Sequence, residues 1–158
     1  MSKHYDVKHF TTGTSIGYLM KMAYTLLHER LTEAFADREI NFMQWIVLMK
    51  LREGAELSAS ELCRALRHDT GAFTRLVDQL EERGLIERER SQTDRRVVRL
   101  SLTPAGRKLA TGLLPVLVEH LNFALADFSK AEFQELCRLL NKLIGRLKEA
   151  ESSSEARA

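Results

Sequence analysis

The stretch from Asp69 to Gly106, DTGAFTRLVDQLEERGLIERERSQTDRRVVRLSLTPAG, constrains the fold more than any other part of this chain. Asp69 suits a helix N-cap, and Ala72, Phe73, Leu76, Val77 and Leu80 follow at the spacing of one helical face, with Gly84 as the stop. Ile86 to Arg90 and Arg96 to Leu102 then have strand character, and the polar turn Ser91-Gln92-Thr93-Asp94 joins them. A short amphipathic helix that runs straight into a basic hairpin fits few folds. Such a helix can enter a major groove, and the hairpin tip, Asp94, Arg95 and Arg96, can reach a neighbouring minor groove.

Helical periodicity dominates the rest. Ile16, Leu19, Met20, Ala23, Leu26, Leu27, Leu31 and Phe35 predict one long helix from about Thr14 to Ala36. Asn41 can cap a second helix, ended by Gly54. Phe42, Trp45, Ile46 and Met49 on one side and Met43, Val47 and Leu48 on the other make it apolar nearly all round, hence central. Ser58-Ala-Ser-Glu61 is a capping box for a short third helix ending near Arg67. Thr103-Pro104 starts a fifth helix expected to reach about Asp127, bent at Gly112 and Pro115. Ser129-Lys-Ala-Glu132 opens a last helix with Phe133, Leu136, Cys137, Leu140, Leu143, Ile144 and Leu147 on one face. The polar tail, residues 151–158, is expected to be disordered.

The fold class that follows is mainly α with a small β-hairpin, a winged helix-turn-helix between N- and C-terminal dimerisation helices. Residues 1–40 form an N-terminal arm and dimerisation helix, residues 41–102 the reading module, and residues 103–150 the C-terminal dimerisation helices. The flanking helices carry wide apolar stripes with no domain of their own to cover. A second copy of the chain would cover them and present two reading heads to a palindromic site.

Composition matters here for what it excludes. The formal net charge over 158 residues is only +2, yet Arg88 to Lys108 holds seven basic residues against two acids. A local basic patch on a neutral body is the footprint of a nucleic-acid binder. The two cysteines, Cys63 and Cys137, lie far apart within apolar helical patterns, without metal-ligand spacing, and the five histidines are scattered. No metal or other cofactor is expected. The N-terminal MSKHYDVKHF lacks the apolar core of a signal peptide, and Pro115 interrupts the longest apolar run, so a cytoplasmic chain with no membrane partner is expected.

The buried stripe of the Asp69 helix leaves Thr70, Gly71, Thr74, Arg75, Asp78 and Gln79 outward. Small residues and free N–H groups near its N-terminus suit a phosphate, Thr74 and Arg75 are placed for base edges, and Gln79 for a base or a phosphate. Five arginines within twelve residues crowd the hairpin, and Asp94 can aim Arg96 by a charge-assisted pair.

The run Leu80-Glu-Glu-Arg-Gly-Leu-Ile-Glu87, the Asp94-Arg-Arg96 tip, and Leu100-Ser-Leu-Thr103-Pro-Ala-Gly106, in that register, resemble the signature of the MarR family of bacterial transcription regulators. The flanking helices match that family's layout too. The resemblance implies an obligate homodimer that represses promoters at inverted-repeat operators in double-stranded DNA. It releases DNA when a small aromatic or phenolic ligand binds or a cysteine is oxidised. Carried onto this sequence, the DNA contacts are Thr70, Gly71, Thr74 and Arg75 in the helix and Arg96, oriented by Asp94, in the wing; Arg95 joins them on charge alone. The family's pocket between dimer helices and reading head implies Tyr18, Met22, Tyr24 and His28 on the first helix and Phe42 and Trp45 on the second as the ligand-binding set. Alternatives stay open at this stage: a redox-responsive regulator using Cys63 or Cys137, or a winged-helix module that binds protein. An enzyme is not expected, since no nucleophile–base pair, carboxylate pair in a cleft or phosphate-cradling glycine loop is present.

Overall fold

A computed structural model describes residues 3–54, 57–90 and 98–155. Its elements run, after a 3-10 turn at Thr12–Thr14, α1 (Ile16–Ala34), α2 (Phe42–Arg52), β1 (Leu57–Ser58), α3 (Ala59–Leu66), α4 (Thr70–Glu82), β2 (Ile86–Arg90), β3 (Val98–Leu102), α5 (Pro104–Gly112), α6 (Leu114–Ala124) and α7 (Lys130–Glu155). The chain divides into two compact units, Met1–His120 and Leu121–Ala158. The first holds the helix-turn-helix and a three-stranded antiparallel sheet of order β1-β3-β2. β1, two residues long, was not anticipated; it pairs Leu57 with Leu100 and Ser58 with Arg99.

Local chemistry starts and stops these helices. The Asn41 side chain accepts from Gln44 N while Gln44 Oε1 accepts from Asn41 N, a complete capping box at α2. Ser58 and Glu61 do the same at α3, and Ser129 and Glu132 at α7. Asp69 caps α4 through Ala72 N at 2.9 Å. Gly84 takes the left-handed backbone, φ +66°, that ends α4 and lets Leu85 N return to the Leu80 carbonyl.

Two expectations change. The single bent helix from Thr103 is two helices, α5 and α6, with Leu113 between them. Gly112 carries a high helical cost, and Pro115 lacks an N–H and would crowd the carbonyl four residues back, so it is tolerated only in the first turn of a new helix. The last helix does not stop at residue 150 but runs to Glu155, because no glycine or proline breaks it there.

The core of the first unit lies where α2 packs on α4, α5 and β3. Val47, Leu48, Leu62, Phe73, Val77, Leu80, Ile86 and Leu100 are fully buried. α2 is central, as its all-round apolarity requires. On α1 only Leu31 is buried, with Phe35 just beyond its end; the rest of the expected stripe is exposed or half-buried.

Candidate nucleic-acid interface

α4 presents the face the sequence predicts. Phe73, Leu76, Val77 and Leu80 face the core, while Thr70, Gly71, Thr74 and Arg75 are exposed. The Thr74 hydroxyl donates to the Thr70 carbonyl at 2.9 Å, so its proton is committed and its oxygen faces outward as an acceptor. A Cβ built on Gly71 would lie 3.5 Å from Asp69 Oδ1, an ordinary contact, so packing does not demand glycine there. Arg75 forms no ion pair among the described residues.

Gln79 is a different case. Its Oε1 accepts a 3.0 Å hydrogen bond from Nε2 of Gln44, a buried residue of α2. One of its acceptor positions is thereby engaged within the protein, while the residue itself is exposed.

The hairpin stands on the body through Ile86, Leu100 and a close backbone junction. Beyond Ile86, residues 87–90 are exposed. Arg88 shares the Ile86 face of β2, which turns it toward α4, where it pairs with Asp78 at 2.6 Å and Glu81 at 2.5 Å. One of the basic residues counted toward the patch is thus neutralised internally, and it ties the hairpin to α4. At the other end Thr103 N donates to the Leu85 carbonyl, and the Thr103 hydroxyl donates to the Gly84 carbonyl at 2.7 Å while capping α5 through Gly106 N. Gly106 sits so close to Leu85 that a Cβ would overlap the Leu85 carbonyl oxygen. The spacing of Gly84, Thr103 and Gly106 is therefore a packing requirement that fixes the hairpin's root. Asp94, Arg95 and Arg96 lie outside the described residues.

Of the six residues expected to take a ligand, four form a chain of ring contacts. Tyr24 meets His28 at 5.5 Å, His28 meets Phe42 at 6.2 Å, and Phe42 stacks on Trp45 at 6.1 Å. Phe35 joins both Phe42 and Trp45. Tyr18 and Met22 make no ring contact with that chain among the described residues; Tyr18 is exposed and Met22 half-buried. Trp45 is buried, and its indole N–H donates to the Ala110 carbonyl at 3.0 Å, so it braces α2 against α5. An open depression of about 690 Å³ lies elsewhere, lined by Leu102, Pro104, Arg107, Lys108, Thr111 and Gly112.

Cys63 is buried and its thiol donates to the His68 carbonyl at 3.2 Å; Cys137 is half-buried. No group of three or more His, Cys, Asp or Glu among the described residues could hold a metal ion, and no described helix is long and apolar enough to cross a membrane. Sequence reasoning missed Gln44, Arg83 and Arg88 as struts of the reading head. A signal existed for Gln44: it is a polar residue three positions after a cap in an otherwise apolar helix.

The MarR family model matches residues 39–97, from the approach to α2 to the residue before β3. The transcriptional repressor MprA of Escherichia coli K12 is 34% identical over 134 residues, covering 84% of this chain and 76% of MprA. The chain belongs to the MarR family. It is a DNA-binding transcription regulator and not an enzyme. A cysteine-to-serine variant of E. coli MarR, solved in complex with operator DNA, has a similar structure, with TM-score 0.74, 26% identity, and 88% of this chain and 99% of that one covered. Bordetella bronchiseptica BpsR, whose DNA binding is regulated by 6-hydroxynicotinic acid, shares the fold at TM-score 0.76 and 24% identity, covering 85% of this chain and 96% of its own.

Proposed function

We propose that this MarR-family regulator is a cytoplasmic repressor that binds an inverted-repeat operator as a homodimer, with α4 in the major groove and the hairpin tip in the minor groove. The observation that carries the reading is the outward face of α4. Thr70, Gly71, Thr74 and Arg75 are exposed together on a helix whose opposite face is locked in the core. Arg75 reads a guanine edge, Thr74 offers an acceptor or its methyl group, and the Gly71 backbone approaches a phosphate. Asp94 and Arg96, with Arg95, supply the wing contact.

Residues 1–40 and 103–150 serve as the dimerisation segments and residues 41–102 as the reading head. Exposed apolar side chains support this within each unit: Ile16, Leu19, Met20 and Leu26 on α1, and Phe133, Leu136, Leu139, Ile144 and Leu147 on α7. Soluble monomers rarely leave such stripes uncovered. The effector is a small aromatic or phenolic acid that enters at Tyr24, His28 and Phe42, with Trp45 as the inner wall and Tyr18 and Met22 at the margin. The buried, hydrogen-bonded thiol of Cys63 supports a structural role there over redox sensing.

The test is operator binding by Arg75→Ala and Arg96→Ala. Each is expected to cost about 1–3 kcal/mol of specific binding. Unchanged affinity in both variants would refute the assignment.

A further inference from the structure

We infer that the reading orientation of α4 is set by a polar clamp to the N-terminus of α2, and that Gln44 is its positioning residue. The inference rests on the reading of α4 as the DNA-reading helix. Gln44 is 5% exposed, and among the described residues it is the one polar side chain in the core. Burying an amide is costly unless both ends find partners. Here both do: Oε1 accepts from Asn41 N at 3.0 Å, and Nε2 donates to Gln79 Oε1 at 3.0 Å.

The two ends do different jobs. The capping box needs only the acceptor, and a glutamate would serve it as well. The amide donor has no part in the cap. Its partner is Gln79, which lies 35 residues away on α4. The identity of residue 44 therefore answers to the interhelical link and not to the cap.

A second tether lies one turn further along. Arg83, just past the end of α4, donates to the Glu39 main-chain carbonyl and approaches Glu39 Oε2 at 3.5 Å. Positions 79 and 83 share one flank of the helical path, and Glu39 and Gln44 bracket the start of α2. The clamp grips the C-terminal part of α4 and leaves Thr70, Gly71, Thr74 and Arg75 exposed to a partner. Gln79 lies four residues past Arg75, about 6 Å along the axis. A tilt released at Gln79 is thus passed to the reading residues. The same turn of α2 carries Phe42 and Trp45, so the clamp is continuous with the aromatic cluster.

The test is a double-mutant cycle of Gln44→Met and Gln79→Met. It is read by fluorescence anisotropy at fixed salt on a duplex that the wild-type protein selects from a randomised library and on a scrambled duplex. The readout is the ratio of the two affinities, which a general loss of stability in a still-folded protein does not move. Each single variant is expected to lower the ratio roughly threefold to tenfold, and the double variant no further than the worse single. A loss with Gln79→Met but none with Gln44→Met would overturn the clamp and make Gln79 a direct DNA contact. No loss in either would also overturn it. If Gln44→Met does not fold, Gln79→Met and Arg83→Gln, both at exposed positions, carry the test: both must lower the ratio. Failure of the wild-type protein to prefer any duplex would count against the reading of α4 instead.

Discussion

Gly71→Ala separates a glycine kept for a partner from one kept for packing. Gly71 is the second residue of α4 and exposed, and its φ lies outside the left-handed range. A methyl there would sit 3.5 Å from Asp69 Oδ1, within ordinary contact, and would disturb no hydrogen bond of the cap. In a helix, alanine is favoured over glycine by about 0.5–1 kcal/mol, and a position in the first turn realises the lower part of that range. For a chain of this length the gain raises the melting temperature by roughly 1–3 °C. Operator affinity should move the other way. A methyl between helix backbone and phosphate lengthens the approach and weakens a charge-assisted contact worth about 1.5–3 kcal/mol. Calorimetry or circular dichroism on melting, paired with a binding titration, reads both effects. A variant both more stable and equally tight would refute the close approach. One that is less stable would refute the packing argument.

Three further outcomes follow from the same geometry. Gly106→Ala must push the Leu85 carbonyl oxygen, which the new Cβ would overlap, outward by about 1–1.5 Å against its bond from Thr103 N. The expected loss is about 2–3 kcal/mol, a melting temperature lower by about 5–10 °C, and an unchanged melt would contradict the junction. Arg88→Leu removes two partly exposed ion pairs, costs about 1 kcal/mol in stability, and lowers operator affinity while the salt slope changes by less than about one unit. A drop in slope of about one unit or more would show that Arg88 meets phosphate. Glu61 is held below its ordinary carboxylate pKa by the backbone N–H and hydroxyl of Ser58. A depressed folded pKa makes its contribution complete above the unfolded value, near pH 4.3, and removes it as pH falls through the folded one. Melting curves of wild type and Glu61→Gln should therefore converge on acidification; curves that stay parallel to acid pH would contradict this.

The reading head was legible in the sequence because its determinants are local. Asp69, Ser58, Asn41 and Thr103 cap helices through residues three positions on, and Phe73, Leu76, Val77 and Leu80 mark one face by spacing alone. The motif around Gly84, Thr103 and Gly106 was visible as a pattern, but its cause, the crowding of Gly106 on Leu85, required the fold. What the sequence hid is long-range. β1 exists only through its pairing with β3, Gln44 meets a partner on another helix, and Arg88 reads as part of a basic patch until Asp78 and Glu81 are seen against it. That Trp45 also braces α2 against α5 appears only when its N–H is traced to the Ala110 carbonyl. The split between α5 and α6 was legible in its residues, Gly112 and Pro115, but a bend and a break differ by whether the next turn can restart.

The most direct measurement is the salt dependence of binding to the selected duplex, beside the same titration on a scrambled duplex of equal length. The specific complex is expected to be at least about a thousandfold tighter than the scrambled one at physiological salt, with log K falling linearly as log salt rises. Equal affinity for both duplexes, or binding indifferent to salt, would contradict the assignment of α4 and its hairpin as a sequence-reading surface.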